Sequence, residues 1–61
     1  MEINRYNLIA SDVRKIKALT ADQLSAVRRN INSPGYTEDE TREAVAQYCA
    51  DGGEVEDLLD F

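Results

Sequence analysis

The chain has no histidine and a single cysteine, Cys49. Without an imidazole, the general base that activates Ser and Cys nucleophiles near neutral pH is missing. One thiol has no partner for an internal disulfide and cannot assemble a structural zinc site. Glycine is scarce as well, the three being Gly35, Gly52 and Gly53. Gly52 and Gly53 follow a helical pattern instead of opening one, the wrong polarity for cradling a phosphate. No apolar run approaches the length of a bilayer span, and Met1–Tyr6 lacks the basic start and apolar core of a signal peptide. The expectation is a cytoplasmic protein with no membrane partner, which agrees with a lone reduced thiol.

Carboxylates are plentiful, twelve in 61 residues, but they lack a catalytic arrangement. Acid–base chemistry needs paired groups held in a pocket with separated pKa values. Here the acids fall at helix starts and on polar faces. Asp51-Gly52-Gly53-Glu54 does not have the register of a calcium loop. No metal, cofactor or enzymatic activity is expected.

What the chain does have is helix grammar, clearest between Gly35 and Gly53. Thr37 with Glu40 three residues on makes a capping box, and Glu38, Asp39 and Glu40 set negative charge on the positive end of the dipole. Asp51-Gly52-Gly53 supplies a left-handed stop. Between them Thr41, Ala44, Val45, Tyr48 and Cys49 share one face at helical spacing, which the rest of the chain must cover. This makes Cys49 a small core residue.

A second helix begins at Thr20, with Gln23 completing another capping box and Leu19 and Leu24 in the staple positions. Leu24, Val27 and Ile31 form its apolar stripe. It ends at Asn32-Ser33-Pro34-Gly35, because the residue before proline is pushed out of helical geometry. Upstream, Tyr6, Ile9, Val13 and Ile16 predict a first helix over residues 4–18, its start falling between Asn4 and Ser11. A rival reading makes Met1–Ala10 a short strand, since Ile3 and the Tyr6/Leu8 pair alternate. Val55, Leu58 and Leu59 predict a final two-turn helix, with Phe61 anchoring the end.

The fold class is therefore all-α: one domain over residues 1–61, a compact three-helix bundle with a short fourth C-terminal helix. The expected core is Ile9, Val13, Ile16, Leu24, Val27, Ile31, Val45, Tyr48, Val55 and Leu58. With 43% apolar residues spread along the whole length, the chain is not a disordered acidic tail.

Charge is split along the chain. Before Gly35, Arg5, Arg14, Lys15, Lys17, Arg28 and Arg29 outweigh Glu2, Asp12 and Asp22; from Gly35 onward, Arg42 alone faces nine acids, and the net charge is −5. Each half can be a solvated face, or the polarity can serve a directional contact with a charged partner or a second copy. Leu58-Leu59-Asp60-Phe61 is the candidate partner-binding segment, because alternating acidic and large apolar residues suit a short helix docking in a groove. The opposite option is that its leucines close the core.

Tyr36, the cap at Thr37, Glu43-Ala44-Val45, the Gly52-Gly53 turn and Val55 resemble the opening of the helix-turn-helix domain of insertion-sequence transposases. The likeness covers about 24 residues, 36–59, and implies helices; no basic or base-reading residue carries over for DNA contact, since this stretch holds only Arg42. Glu40 stands where that family has an apolar or aromatic residue, and no recognition helix follows. Gly35-Tyr36 and Ala44-Val45 are also similar to a ubiquitin-associated three-helix domain, a likeness of fold alone. In size and composition the chain is similar to the accessory proteins that phages and plasmids encode. The function expected is that of a small regulatory or adaptor protein acting on a protein partner, with self-association into a homodimer as an option. The alternative is a DNA-binding regulator that meets phosphates through Arg14, Lys15, Lys17, Arg28 and Arg29.

Overall fold

The computed structural model describes residues 6–59; Ile3, Asp60 and Phe61, named above, lie outside that range. Three α-helices follow in order, α1 (Ala10–Lys17), α2 (Ala21–Asn30) and α3 (Glu38–Ala50), and a single-turn 3-10 helix closes the described chain at Val55–Leu58. There is no strand among the described residues. Helix α3 is central. Both α1 and α2 pack on it and on the 3-10 helix, but not on each other. The protein is an all-α three-helix bundle whose short fourth helix is of the tighter 3-10 kind.

Both boundaries of α2 and α3 follow from local chemistry. Thr20 Oγ1 accepts from the Gln23 amide at 3.2 Å while Gln23 Oε1 accepts from the Thr20 amide at 2.8 Å. Thr37 and Glu40 repeat the exchange at 3.1 and 2.8 Å. Each box satisfies two amides that the first turn leaves without partners. At the other end of α3, Gly53 donates to the Tyr48 carbonyl and Gly52 to that of Cys49, both at 3.0 Å. Gly52 holds φ 102°, which completes a Schellman stop. Helix α2 stops in the same way. Asn32, at φ 56°, and Ser33 donate to the carbonyls of Arg29 and Arg28. The stop therefore lies one residue ahead of the Ser33-Pro34 step, in the asparagine, which tolerates left-handed backbone.

The buried core holds Ile16, Leu19, Leu24, Val27, Val45, Ala46, Cys49, Val55 and Leu58. Val13 and Ile31, expected inside, are half-buried against it. Two expected core residues are corrected. Ile9 is 66% exposed, because it is the N-cap of α1 and its side chain precedes the helical register. Ahead of it the chain is non-helical, and Tyr6 and Leu8 reach the core on alternate residues, the feature behind the rival strand reading. Tyr48 is 37% exposed, and Ala46 takes the buried place. With α1 and α2 on separate flanks of α3, the covered arc shifts toward Ala46.

Thr41 is the one buried polar residue among those described. Its hydroxyl donates to the Thr37 carbonyl at 2.7 Å and accepts from Arg28 Nε at 3.0 Å. The bond from Arg28 ties α2 to α3 and keeps the buried hydroxyl satisfied.

Candidate interaction surface

Shallow depressions mark the surface of the described residues. The first, about 230 Å³, is lined by Tyr6, Tyr36, Glu40, Glu43 and Ala44. Three segments meet there: the non-helical chain ahead of α1, the turn before α3, and the first half of α3. Tyr36 is 41% exposed because it stands just ahead of the Thr37 cap, where a hydrophobic staple would need an apolar residue at position 41. Thr41 is polar, so the ring has no staple partner and stays at the surface. Around it, the first turn of α3 exposes Glu38, Asp39 and Glu40.

The second depression, about 250 Å³, is lined by Lys15, Ala18, Leu19, Gln23, Val55, Glu56 and Leu59. Lys15 Nζ crosses its edge to both carboxylate oxygens of Glu56, at 3.0 and 3.2 Å. That bond, then the Coulombic attraction of the same carboxylate, raises the Lys15 pKa above its ordinary value. On the neighbouring side of the 3-10 helix, Tyr48 Oη donates to Asp57 at 3.1 Å. The hydrogen bond, followed by desolvation, raises the phenol pKa. Gly53 gives the Tyr48 ring its room, since a Cβ there would run into it.

Cys49 is buried as expected. Burial, then the negative field of Asp12 and Glu56, pushes its thiol pKa upward. A thiol held protonated is a poor nucleophile. Among the described residues, no group of three or more His, Cys, Asp or Glu side chains is placed to hold a metal ion.

The candidate partner-binding segment is divided by the fold. Leu58 is buried in the core, and its carbonyl accepts a bond from Asn30 Nδ2. Leu59 is half-buried beside it, lining the second depression, whereas Asp60 and Phe61 lie outside the described residues. The basic set does not form one array. Arg14 and Lys17 are exposed on α1 and Arg29 on α2; Lys15 is paired with Glu56, and Arg28 is half-buried on Thr41. No helix is long and apolar enough to cross a membrane among the described residues.

The Tyr6–Tyr36 cleft was not legible as a unit in the sequence, because Tyr6 fits an apolar stripe and Glu40 fits a capping box. The one signal was the polar residue at position 41 that leaves Tyr36 unstapled.

These features define a small helical protein with a mixed aromatic and acidic surface cleft. No protein-family model, curated protein or solved structure matches the chain.

Proposed function

We propose that this protein is a non-enzymatic regulator or adaptor that works by contact with another protein, and that the face carrying Tyr6, Tyr36 and the start of α3 makes the contact. The observation that carries this reading is the exposed tyrosine set beside a cleft on the acidic end of α3. Aromatic side chains are enriched in interface cores, where they bring large contact area at low entropic cost. The leucines of the C-terminal segment are a weaker basis for docking, since Leu58 is occupied in the core. The DNA-binding alternative also has less behind it, because Lys15 and Arg28 are engaged within the fold.

A photo-crosslinking residue in place of Tyr36, with one in place of the exposed Asp22 as control, tests the reading in the cells that make the protein. A defined protein adduct from position 36 alone is expected. Absence of an adduct, or the same adducts from both positions, overturns it. Titration with random duplex DNA at low and moderate salt tests the alternative, which requires binding that collapses as salt rises.

A further inference from the structure

We infer that the cleft of Tyr6, Tyr36, Glu40, Glu43 and Ala44 receives an arginine side chain from a basic segment of the partner, an inference that rests on the docking reading above. At about 230 Å³ the cleft is smaller than the roughly 300–1,000 Å³ typical of small-molecule sites, and it suits a single inserted side chain. Two phenol rings from separate segments form part of its wall, and two carboxylates from successive turns of α3 form another. Aromatic faces attract a cation through the ring quadrupole, and carboxylates attract it by charge. A guanidinium satisfies both at once, because its plane stacks on a ring while its edge offers paired N–H donors.

The surroundings carry the same sign. Glu38 and Asp39 stand exposed on the same turn of α3 as Glu40. The one basic residue of α3, Arg42, pairs with Glu38 at 3.6 Å and donates to the Ile16 and Leu19 carbonyls at the far end of α1, at 3.3 and 3.1 Å. It therefore compensates Glu38 and leaves Asp39 and Glu40 to set the sign of that turn. Glu40 keeps one oxygen on the Thr37 amide, which fixes that carboxylate at the cleft. An acidic partner segment would meet repulsion from the negative charge at this end of α3, whereas a basic one complements it.

The test uses the full chain and two small probes, N-acetylarginine amide and its neutral isostere N-acetylcitrulline amide, followed by NMR of the tyrosine rings. Saturable shifts of the Tyr6 and Tyr36 rings with the arginine probe are expected, with the citrulline probe and the Tyr48 ring silent. Tyr36→Phe keeps the π face and retains binding; Tyr36→Leu keeps only apolar bulk and weakens it roughly fivefold, about the value of one exposed cation–π contact. Both variants change an exposed side chain outside the helices, and their amide spectra report that the fold is intact. Equal responses to the two probes, a response centred on Tyr48, or equal binding by the Phe and Leu variants overturns the inference. A partner crosslinked at position 36 without an arginine response removes the cationic chemistry and leaves the docking reading standing. An arginine response without a crosslinked partner does the reverse.

Discussion

Helices α1 and α3 lie against each other in one core, yet they are held by opposite means. Helix α3 carries its own start and stop: a capping box at Thr37 and Glu40, three acids in the first turn, and a glycine turn after Ala50. Helix α1 has neither. Its eight residues follow Ile9, which makes no side-chain cap, and it buries only Ile16. Isolated helices below about 12–15 residues are marginal in water even with good sequences. What holds α1 comes from elsewhere: Arg42 on α3 bonds the carbonyls at its far end, and Glu56 on the 3-10 helix takes Lys15. One helix is specified by its neighbours in sequence, the other by its neighbours in space. Both need the shared core, but removing a distant partner weakens the ends of the second kind, whereas the first keeps its own end signals.

The strongest way to break this contrast is Ile16→Ala. Truncating a fully buried aliphatic residue costs about 2–5 kcal/mol, comparable with the ~3–5 kcal/mol that a core below about 70 residues supplies in all. Urea denaturation should show a population already unfolded in water. A loss under about 1 kcal/mol would mean that α1 is not anchored through that residue.

Arg42→Met should come next. It keeps the length of the side chain and removes the charged donor from two backbone carbonyls, for a loss of about 2 kcal/mol. Hydrogen exchange should quicken at the Ala18 and Leu19 amides before it changes in α2. Equal loss of protection in α1 and α2 would contradict a local clamp.

Thr20→Ala and Thr37→Ala sharpen the other side of the comparison. Each removes one half of a capping box and should cost about 1 kcal/mol by thermal melting. Because the caps act within one turn, the two losses should add in the double variant. Strong coupling between them would show that the caps act through the tertiary fold.

The smallest effect is alkaline. Lys15, Tyr48 and Cys49 all have pKa values raised above their ordinary 10.5, 10.0 and 9.0. The folded state then holds these protons after the unfolded chain has released them. Their stabilising contribution is complete below the ordinary values and is lost as pH rises through the folded ones. Melting temperature should be level through neutrality and decline above about pH 9. Replacing Glu56 and Asp57 by Gln and Asn should flatten that decline, since they are the acceptors that favour the protonated Lys15 and Tyr48.

How far the fold could be read follows the same division. Thr20, Gln23, Thr37, Glu40 and Gly52 act over three to five residues, so their roles are visible in the sequence and recur in the structure. Ile9 and Tyr48 fit apolar stripes equally well, but which arc of a helix is covered depends on where its neighbours lie. Spacing along one helix carries no such information. The final segment also tightened from two expected turns to the 3-10 turn Val55–Leu58, where bonds such as Leu59 N–H to the Glu56 carbonyl close in three residues. The cleft was less legible still, since its walls come from positions 6, 36, 40, 43 and 44 and meet only after α3 is docked.

By itself the amino-acid order determined where α2 and α3 begin and end, that Cys49 and the aliphatic stripe residues Leu24, Val27 and Val45 are interior, and that the two halves differ in charge. Capping, left-handed turns and helical periodicity are short-range and need no partner. Only the tertiary structure decided that α3 is flanked by α1 and α2 on separate sides, that Arg28 reaches the buried Thr41 while Lys15 pairs with Glu56 at the surface, and that two tyrosines and two glutamates line one cleft. Those outcomes depend on which side chains meet across long stretches of chain, a choice made by packing the whole core at once.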